Sequence, residues 1–285
     1  MTVHDSYAFC EGVARRQAKN FYYSFLLLDK DRRHAMCAIY AFMRYCDDLS
    51  DDEGIADRRG AIARWRADLE AALAGRAPDN ALWPAFTDAV ERYKIPHEYF
   101  FDMIEGVTSD LGLIEEKGAR RIATFDELYD YCYHVASVVG LTIIHIFGFE
   151  DPKALKLAEK CGIAFQLTNI IRDVREDADK DRIYLPAEDL ARFGVSAVEM
   201  RGARRSEKLR KLLEFEAKRA RGYYTDSAPL VGMIHPGSRA SLKALIAIYS
   251  KLLERIVASD YEVLAARVRV PTWQKVWILV RSRFA

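Results

Sequence analysis

Two acidic segments hold residue types that do chemistry when set at helical spacing. The first reads Tyr40-Ala-Phe-Met-Arg44-Tyr-Cys-Asp47-Asp48-Leu-Ser-Asp51-Asp52. The second runs from Gln166 through Asn169, Arg172, Asp173 and Glu176 to Asp177 and Asp179. An α-helix turns about 100° per residue, so Tyr40, Arg44, Asp47 and Asp51 share one stripe. Gln166, Asn169, Asp173 and Asp177 share another. Both stripes end in Asp-x-x-x-Asp, and both interrupt apolar helices. Like charges at i, i+4 repel, and burying them beside a core demands compensation. Mg²⁺ supplies it, because a hard cation takes carboxylate oxygens, keeps several waters and bridges to phosphates. Arg44, Arg172, Arg175 and Arg182 are placed for bidentate hydrogen bonds to a diphosphate. Metal, arginines and an apolar cavity together suit departure of diphosphate from an allylic carbon, with the carbocation kept from water. A lone Asp-x-x-x-Asp helix is ordinarily a solvated face. Two of them, each preceded by an amide or an arginine on an apolar helix, need another explanation.

The elements that must position these residues read as helices from end to end. Apolar residues recur at i, i+3, i+4 over 5–20, 31–50, 56–74, 81–93, 96–116, 124–148, 152–178, 206–228, 237–258 and 260–267. Breaks fall at Gly75 to Asn80, Ile95-Pro96, Asp151-Pro152, His235-Pro236-Gly237 and Val270-Pro271. Residues 120–123 are expected to be a short extended piece. With no low-complexity tract or Gly/Ser linker, the sequence predicts one all-α domain over residues 1–285, built from roughly ten helices.

Bulk composition narrows the function classes. The 285 residues carry 43 Lys+Arg against 42 Asp+Glu, a net charge of +1 that gives a nucleic-acid binder no support. Five single cysteines, with no CxxC pair, read as buried thiols in a reducing compartment. The N-terminus lacks the apolar core of a signal peptide. The uncharged stretch Val135 to Phe149, 15 residues long, falls short of the ~20 a membrane span needs and reads as a core helix. The expectation is a cytoplasmic protein with membrane contact at most peripheral. The basic stretch Arg201 to Arg221 reads as an exposed helix rather than a membrane surface, and His134 and His145 as satisfied core histidines.

At Gln166-Leu-Thr-Asn-Ile-Ile-Arg-Asp-Val-Arg-Glu-Asp-Ala-Asp-Lys-Asp-Arg-Ile-Tyr-Leu-Pro186 the chain resembles the squalene/phytoene synthase family almost residue for residue. Ala38 to Asp51 is similar to that family's first signature, and Tyr131 to Gly140 to its central cavity helix. The likeness runs from Asn20 to Pro271. It implies an all-α isoprenoid synthase fold that joins two prenyl diphosphates head to head through a cyclopropylcarbinyl diphosphate. It further implies Asp47, Asp51, Asn169, Asp173 and Asp177 as Mg²⁺ ligands. Arg44, Gln166, Asn169, Arg172, Tyr184, Tyr249 and Arg267 resemble the diphosphate-binding set. Tyr40 and Tyr131 lie beside the reacting carbons by that likeness, and Phe21, Val135, Val139 and Leu141 line the tail cavity.

Many relatives have Ser-x-Ser-Phe where this chain has Ala18-Lys19-Asn20-Phe21, and Asn20-Phe21-Tyr22-Tyr23 looks closer to bacterial C30-type members. The likeness therefore points to farnesyl diphosphate, with phytoene synthesis from geranylgeranyl diphosphate as the alternative. An elongating prenyltransferase or terpene cyclase shares Asp47-Asp48-Leu-Ser-Asp51 but lacks the run Asp181-Arg-Ile-Tyr-Leu-Pro186. A non-catalytic relative is expected to have lost a carboxylate, and all four are present. NADPH use stays open, because relatives that use it bind it without a GxGxxG fingerprint. Squalene, hydroxysqualene, dehydrosqualene and phytoene all remain candidate products.

Overall fold

Helices begin where the sequence supplies capping side chains. The computed structural model describes the chain apart from residues 19–20, 53, 77, 116–121 and 285, and apart from the side chains of 51 and 112–115. Thr2 caps α1 (Val3–Gln17) in a reciprocal box with Asp5, and α2 (Phe21–Phe25) follows. Asp29 caps α3 (Lys30–Asp51) and Asp57 caps α4 (Arg58–Leu73). Proline stands in the first turn of α5 (Trp83–Arg92), and α6 (Glu98–Glu115) precedes α7 (Phe125–Cys132), capped by Thr124. A π-helical turn (Tyr133–Ser137) joins α7 to α8 (Val138–Phe147), which Gly148 ends at φ 79°. The long α9 (Lys153–Asp179) is followed by α10 (Ala187–Phe193), α11 (Ala197–Met200), α12 (Glu207–Ser227), α13 (Leu230–Met233), α14 (Pro236–Ala258) and α15 (Thr272–Phe284).

Among the described residues the fold is all-α, as the periodicity predicts; an isolated bridge between Phe149 and Ile234 is the lone extended pairing. The differences are local. The expected helix over 260–267 is absent, because Asp260 and Tyr261 take φ of 52° and 61° and end α14. Of the extended piece expected at 120–123, Arg120 and Arg121 lie outside the described residues. The carbonyls of Ile122 and Ala123 accept hydrogen bonds from the N–H groups of Ala187 and Glu188, at 2.9 and 3.1 Å. The short helices α2, α10, α11 and α13 carry too few turns for periodicity to show, and in α15 the apolar spacing from Trp273 to Phe284 lies on an exposed face rather than a packed one.

α9 is the axis of the molecule: α12, the π turn, α8 and α14 all pack on it. One apolar cluster joins α1, α3, α5, α6 and α8 around the rings of Phe42, Trp83, Phe86 and Phe100. A second joins the distal half of α9 to α12 and the end of α14. All five cysteines are buried free thiols. The run Phe125–Phe147 is long and apolar enough to cross a membrane, and half of its apolar window is buried inside the fold.

The π turn sits where two glycines let backbones meet. A Cβ on Gly162 of α9 would stand 2.6 Å from Ser137 Cα, and one on Gly106 of α6 would stand 3.0 Å from the His134 carbonyl. A π turn widens the helix by one residue and redirects the side chains that follow. Here it aims Val135 and Ala136 into the interior space that α9 borders.

Candidate active site

A cavity of about 1060 Å³ opens between α1, α2, α3, the π turn, α8, α9, α14 and the segment 267–275. Its apolar walls include Phe21, Val135, Val139, Ile144 and Phe165. Leu141, expected among them, is instead buried in the core. Phe165 stacks on Tyr249 at 4.3 Å and 12°, while Phe21 meets the same ring edge-on at 5.8 Å. At the polar end stand Tyr40 and Asp47 from α3, Gln166, Asn169 and Arg172 from α9, and Arg267. The two acidic segments therefore border one cavity, the first by Tyr40 and Asp47 and the second by Gln166, Asn169 and Arg172, whereas Asp173 and Asp177 are not among the residues that line it.

Polar partners are divided unevenly. Asn169 Nδ2 donates to Gln166 Oε1 at 3.3 Å, and its buried Oδ1 has no hydrogen-bond partner. Arg172 Nε donates to Asp173 at 2.7 Å, and Arg267 holds the same carboxylate from the other side at 2.9 Å. Arg267 also reaches Glu176 at 3.1 Å. Burial and Asp173 push the Asp177 carboxyl from 3.8 up to about 7, against the nearby Arg182 charge and reinforced by Glu176 and Asp110. Burial raises the Tyr40 phenol to about 12, so it stays protonated at neutral pH.

Several expected residues are placed differently. Arg44 forms an ion pair with Asp48 and is not among the residues that line the cavity. Arg175 donates to the Leu264 carbonyl at 2.9 Å and pairs with Asp179, so it is no part of a diphosphate clamp. Tyr131 and Tyr184 lie behind the wall, their rings stacked at 4.9 Å. Both hydroxyls donate to Asp110 on α6, at 3.0 and 2.9 Å. Asp110 was not singled out by its sequence: it stands alone in the acidic-apolar run of α6, with no second carboxylate at i+4. The side chain of Asp51 lies outside the described residues, as does Asn20. His145 is half-buried, its buried Nε2 unpartnered rather than satisfied, and His134 Nδ1 lies 2.9 Å from the Asp130 carbonyl oxygen.

Residues 14–274 match the squalene/phytoene synthase family. The chain belongs to that family. It is 34% identical to a phytoene synthase from Arthrospira platensis, over 98% of this chain and 92% of that protein. A dehydrosqualene synthase crystal structure is similar over 99% of this chain and 96% of its own, at 30% identity and a TM-score of 0.90. The squalene synthase HpnC from Alicyclobacillus acidocaldarius is similar over 91% and 96%, at 26% identity and a TM-score of 0.83. Squalene/phytoene synthases are prenyltransferases that condense prenyl diphosphates head to head, and this chain is an enzyme of that class on the all-α isoprenoid synthase fold.

A divalent cation fits the residues present. Asn169 Oδ1 is a buried oxygen without a partner, and Asp177 is a carboxyl whose charge is opposed first by burial and then by its acidic neighbours. A cation beside either one relieves it. Among the described residues no three His, Cys, Asp or Glu side chains stand close enough to hold a metal unaided.

Proposed function

We propose that residues 1–285 form one catalytic domain that couples two farnesyl diphosphate molecules through a cyclopropylcarbinyl diphosphate to a C30 isoprenoid. The observation that carries the reaction type is one cavity lined both by Asp47, Asn169, Arg172 and Arg267 and by apolar walls. Arg172 and Arg267 already grip a carboxylate, and the same forks suit a diphosphate oxygen pair. Asp47, Asp51, Asn169, Asp173 and Asp177 would hold Mg²⁺. Bound Mg²⁺ neutralises the charge growing on the departing diphosphate.

The walls do the rest. Phe21, Phe165 and Tyr249 present aromatic faces to a developing allylic cation and keep water from it. Tyr40, protonated, orients by donating a hydrogen bond rather than by removing a proton. Asp110 fixes the Tyr131 and Tyr184 hydroxyls, and so the wall that α7 and the π turn build.

Farnesyl diphosphate is favoured by the Asn20-Phe21-Tyr22-Tyr23 likeness and by the similarity to the dehydrosqualene synthase. A second reading, phytoene synthesis from geranylgeranyl diphosphate, is favoured by the identity with the Arthrospira platensis enzyme. The test offers purified enzyme both diphosphates in competition with Mg²⁺, with and without NADPH, and identifies the lipid. Faster consumption of geranylgeranyl diphosphate overturns the C30 assignment, and activity that survives EDTA overturns the metal.

A further inference from the structure

α15 is amphipathic in the opposite sense from a helix that packs by its apolar side. Trp273, Val276, Trp277, Val280 and Phe284 are exposed by 69, 46, 57, 55 and 83%. At about 100° per residue these five fall within one ~100° arc, spaced i, i+3, i+4, i+7, i+11. Arg281 and Arg283 project on either side of that arc, and the Arg281 guanidinium lies 5.4 Å from the Trp277 ring centre. From Val263 to Ala285 the chain holds Arg267, Arg269, Lys275, Arg281 and Arg283 and no Asp or Glu, in a protein of net charge +1. A contiguous apolar patch with two tryptophans and a basic border is the signature of an interfacial helix.

The opposite face of α15 belongs to the cavity. The helix packs on α14 and α2, and Thr272 and Lys275 line the cavity, with the Lys275 ammonium 5.9 Å from the Tyr23 ring centre. Leu26, just after α2, both lines the cavity and is 46% exposed. The other basic stretch weighed from sequence, Arg201 to Arg221, has no exposed large apolar side chain to anchor it. Arg201, Arg205, Arg210 and Arg219 pair with Asp181, Asp260, Glu207 and Glu216.

We propose that the exposed stripe of α15 docks the enzyme on an anionic bilayer and sets the neighbouring rim of the cavity at the lipid surface. Two arguments select a bilayer over a second copy of the chain. A two-fold contact through this stripe would set against each other two segments that hold basic side chains and no Asp or Glu. An anionic lipid surface complements them. The second argument rests on the head-to-head condensation: substrates with long prenyl tails and a product without its polar head both partition into lipid, and a docked rim spares them water.

The experiment is flotation of the full chain with vesicles of equal parts phosphatidylcholine and phosphatidylglycerol, and with phosphatidylcholine alone. The enzyme is expected to float with the anionic vesicles, with tryptophan emission moving to shorter wavelength. Trp273→Ser combined with Trp277→Ser and Phe284→Ser should lower partitioning at least about ten-fold. Arg281→Glu with Arg283→Glu should do the same and remove its salt dependence, while circular dichroism shows both variants folded. Failure to float, or flotation indifferent to both variants, overturns the proposal. So does a dimer that the serine variant converts to monomer in sedimentation equilibrium, which would make the stripe a contact between copies. No readout uses turnover, so this inference and the catalytic one fail separately.

Discussion

Asp173 and Asp177 stand one turn apart on α9, yet their surroundings divide their roles. Asp173 is clasped by Arg172 and Arg267, whereas Asp177 is buried with acidic neighbours and has its carboxyl raised to about 7. Asp177→Asn removes a charge that burial and repulsion oppose. Without metal this variant should gain about 1 kcal/mol or more, roughly 2–4 °C in Tm, and lose turnover. Asp173→Asn should also abolish turnover but lose stability, because two guanidiniums are left underpaired. Thermal melts in EDTA beside a turnover assay check both, and equal stability shifts for the pair would contradict the division. The acidic stripes stand out in the sequence because two Asp-x-x-x-Asp runs, each preceded by an amide or an arginine, interrupt apolar helices. Asp110 was not, since its importance comes from two hydroxyls on other elements, at 3.0 and 2.9 Å. Asp110→Asn keeps the shape but offers one acceptor oxygen to the two phenols. It should lower kcat about 10–100-fold with KM little changed, whereas a purely structural role would show as a lower Tm with kcat intact.

The helices that position the site were legible where they are long. α3 and α9 run through their motifs almost as the apolar spacing predicts. The π turn was not legible, because nothing in Tyr133-His-Val-Ala-Ser137 departs from an α-helical pattern. Its backbone is met closely by Gly162 and Gly106 on other helices. Gly162→Ala would press a methyl to 2.6 Å from Ser137 Cα, backbone that cannot yield as a side chain does. It should cost about 1–3 kcal/mol in urea unfolding. Gly222→Ala on α12, where nothing lies within 4 Å, should instead gain up to about 1 kcal/mol. A second element-level consequence concerns pH. Glu216 on α12 is raised from 4.5 to about 7 by burial and Asp189, with Arg219 opposing at 2.8 Å. Such a carboxyl is protonated in the fold at a pH where the unfolded chain has already lost its proton. Its contribution is therefore present below about 4.5 and is lost as pH rises through about 7. Glu216→Gln should flatten that part of the stability curve, as chemical denaturation across the range would show.

At the scale of the molecule, the cavity decides which diphosphate is used, and here the sequence was least informative. Helical periodicity states that a residue faces inward, but inward is either into packed core or into open space. Phe21, Phe25, Leu141, Ile144 and Phe165 all read as inward and bulky. Phe21, Ile144 and Phe165 line the cavity, whereas Phe25 and Leu141 are buried in the core cluster behind it. Space for a longer tail must therefore be made at the first three. Phe21 and Phe165 both pack on Tyr249 near the polar end, so truncating either also disturbs the aromatic wall around the cation. Ile144, on α8 beyond Val139, lines the cavity and is 2% exposed. Ile144→Ala adds room in the apolar part alone. Close packing otherwise denies room to each further isoprene unit, so this variant should raise kcat/KM for geranylgeranyl relative to farnesyl diphosphate by about ten-fold. Phe21→Ala should depress turnover with both. The competition assay on the two variants separates a wall that limits length from a wall that protects the cation. If Ile144→Ala leaves the ratio unchanged while the unaltered enzyme already prefers farnesyl diphosphate, the length limit lies elsewhere along the cavity.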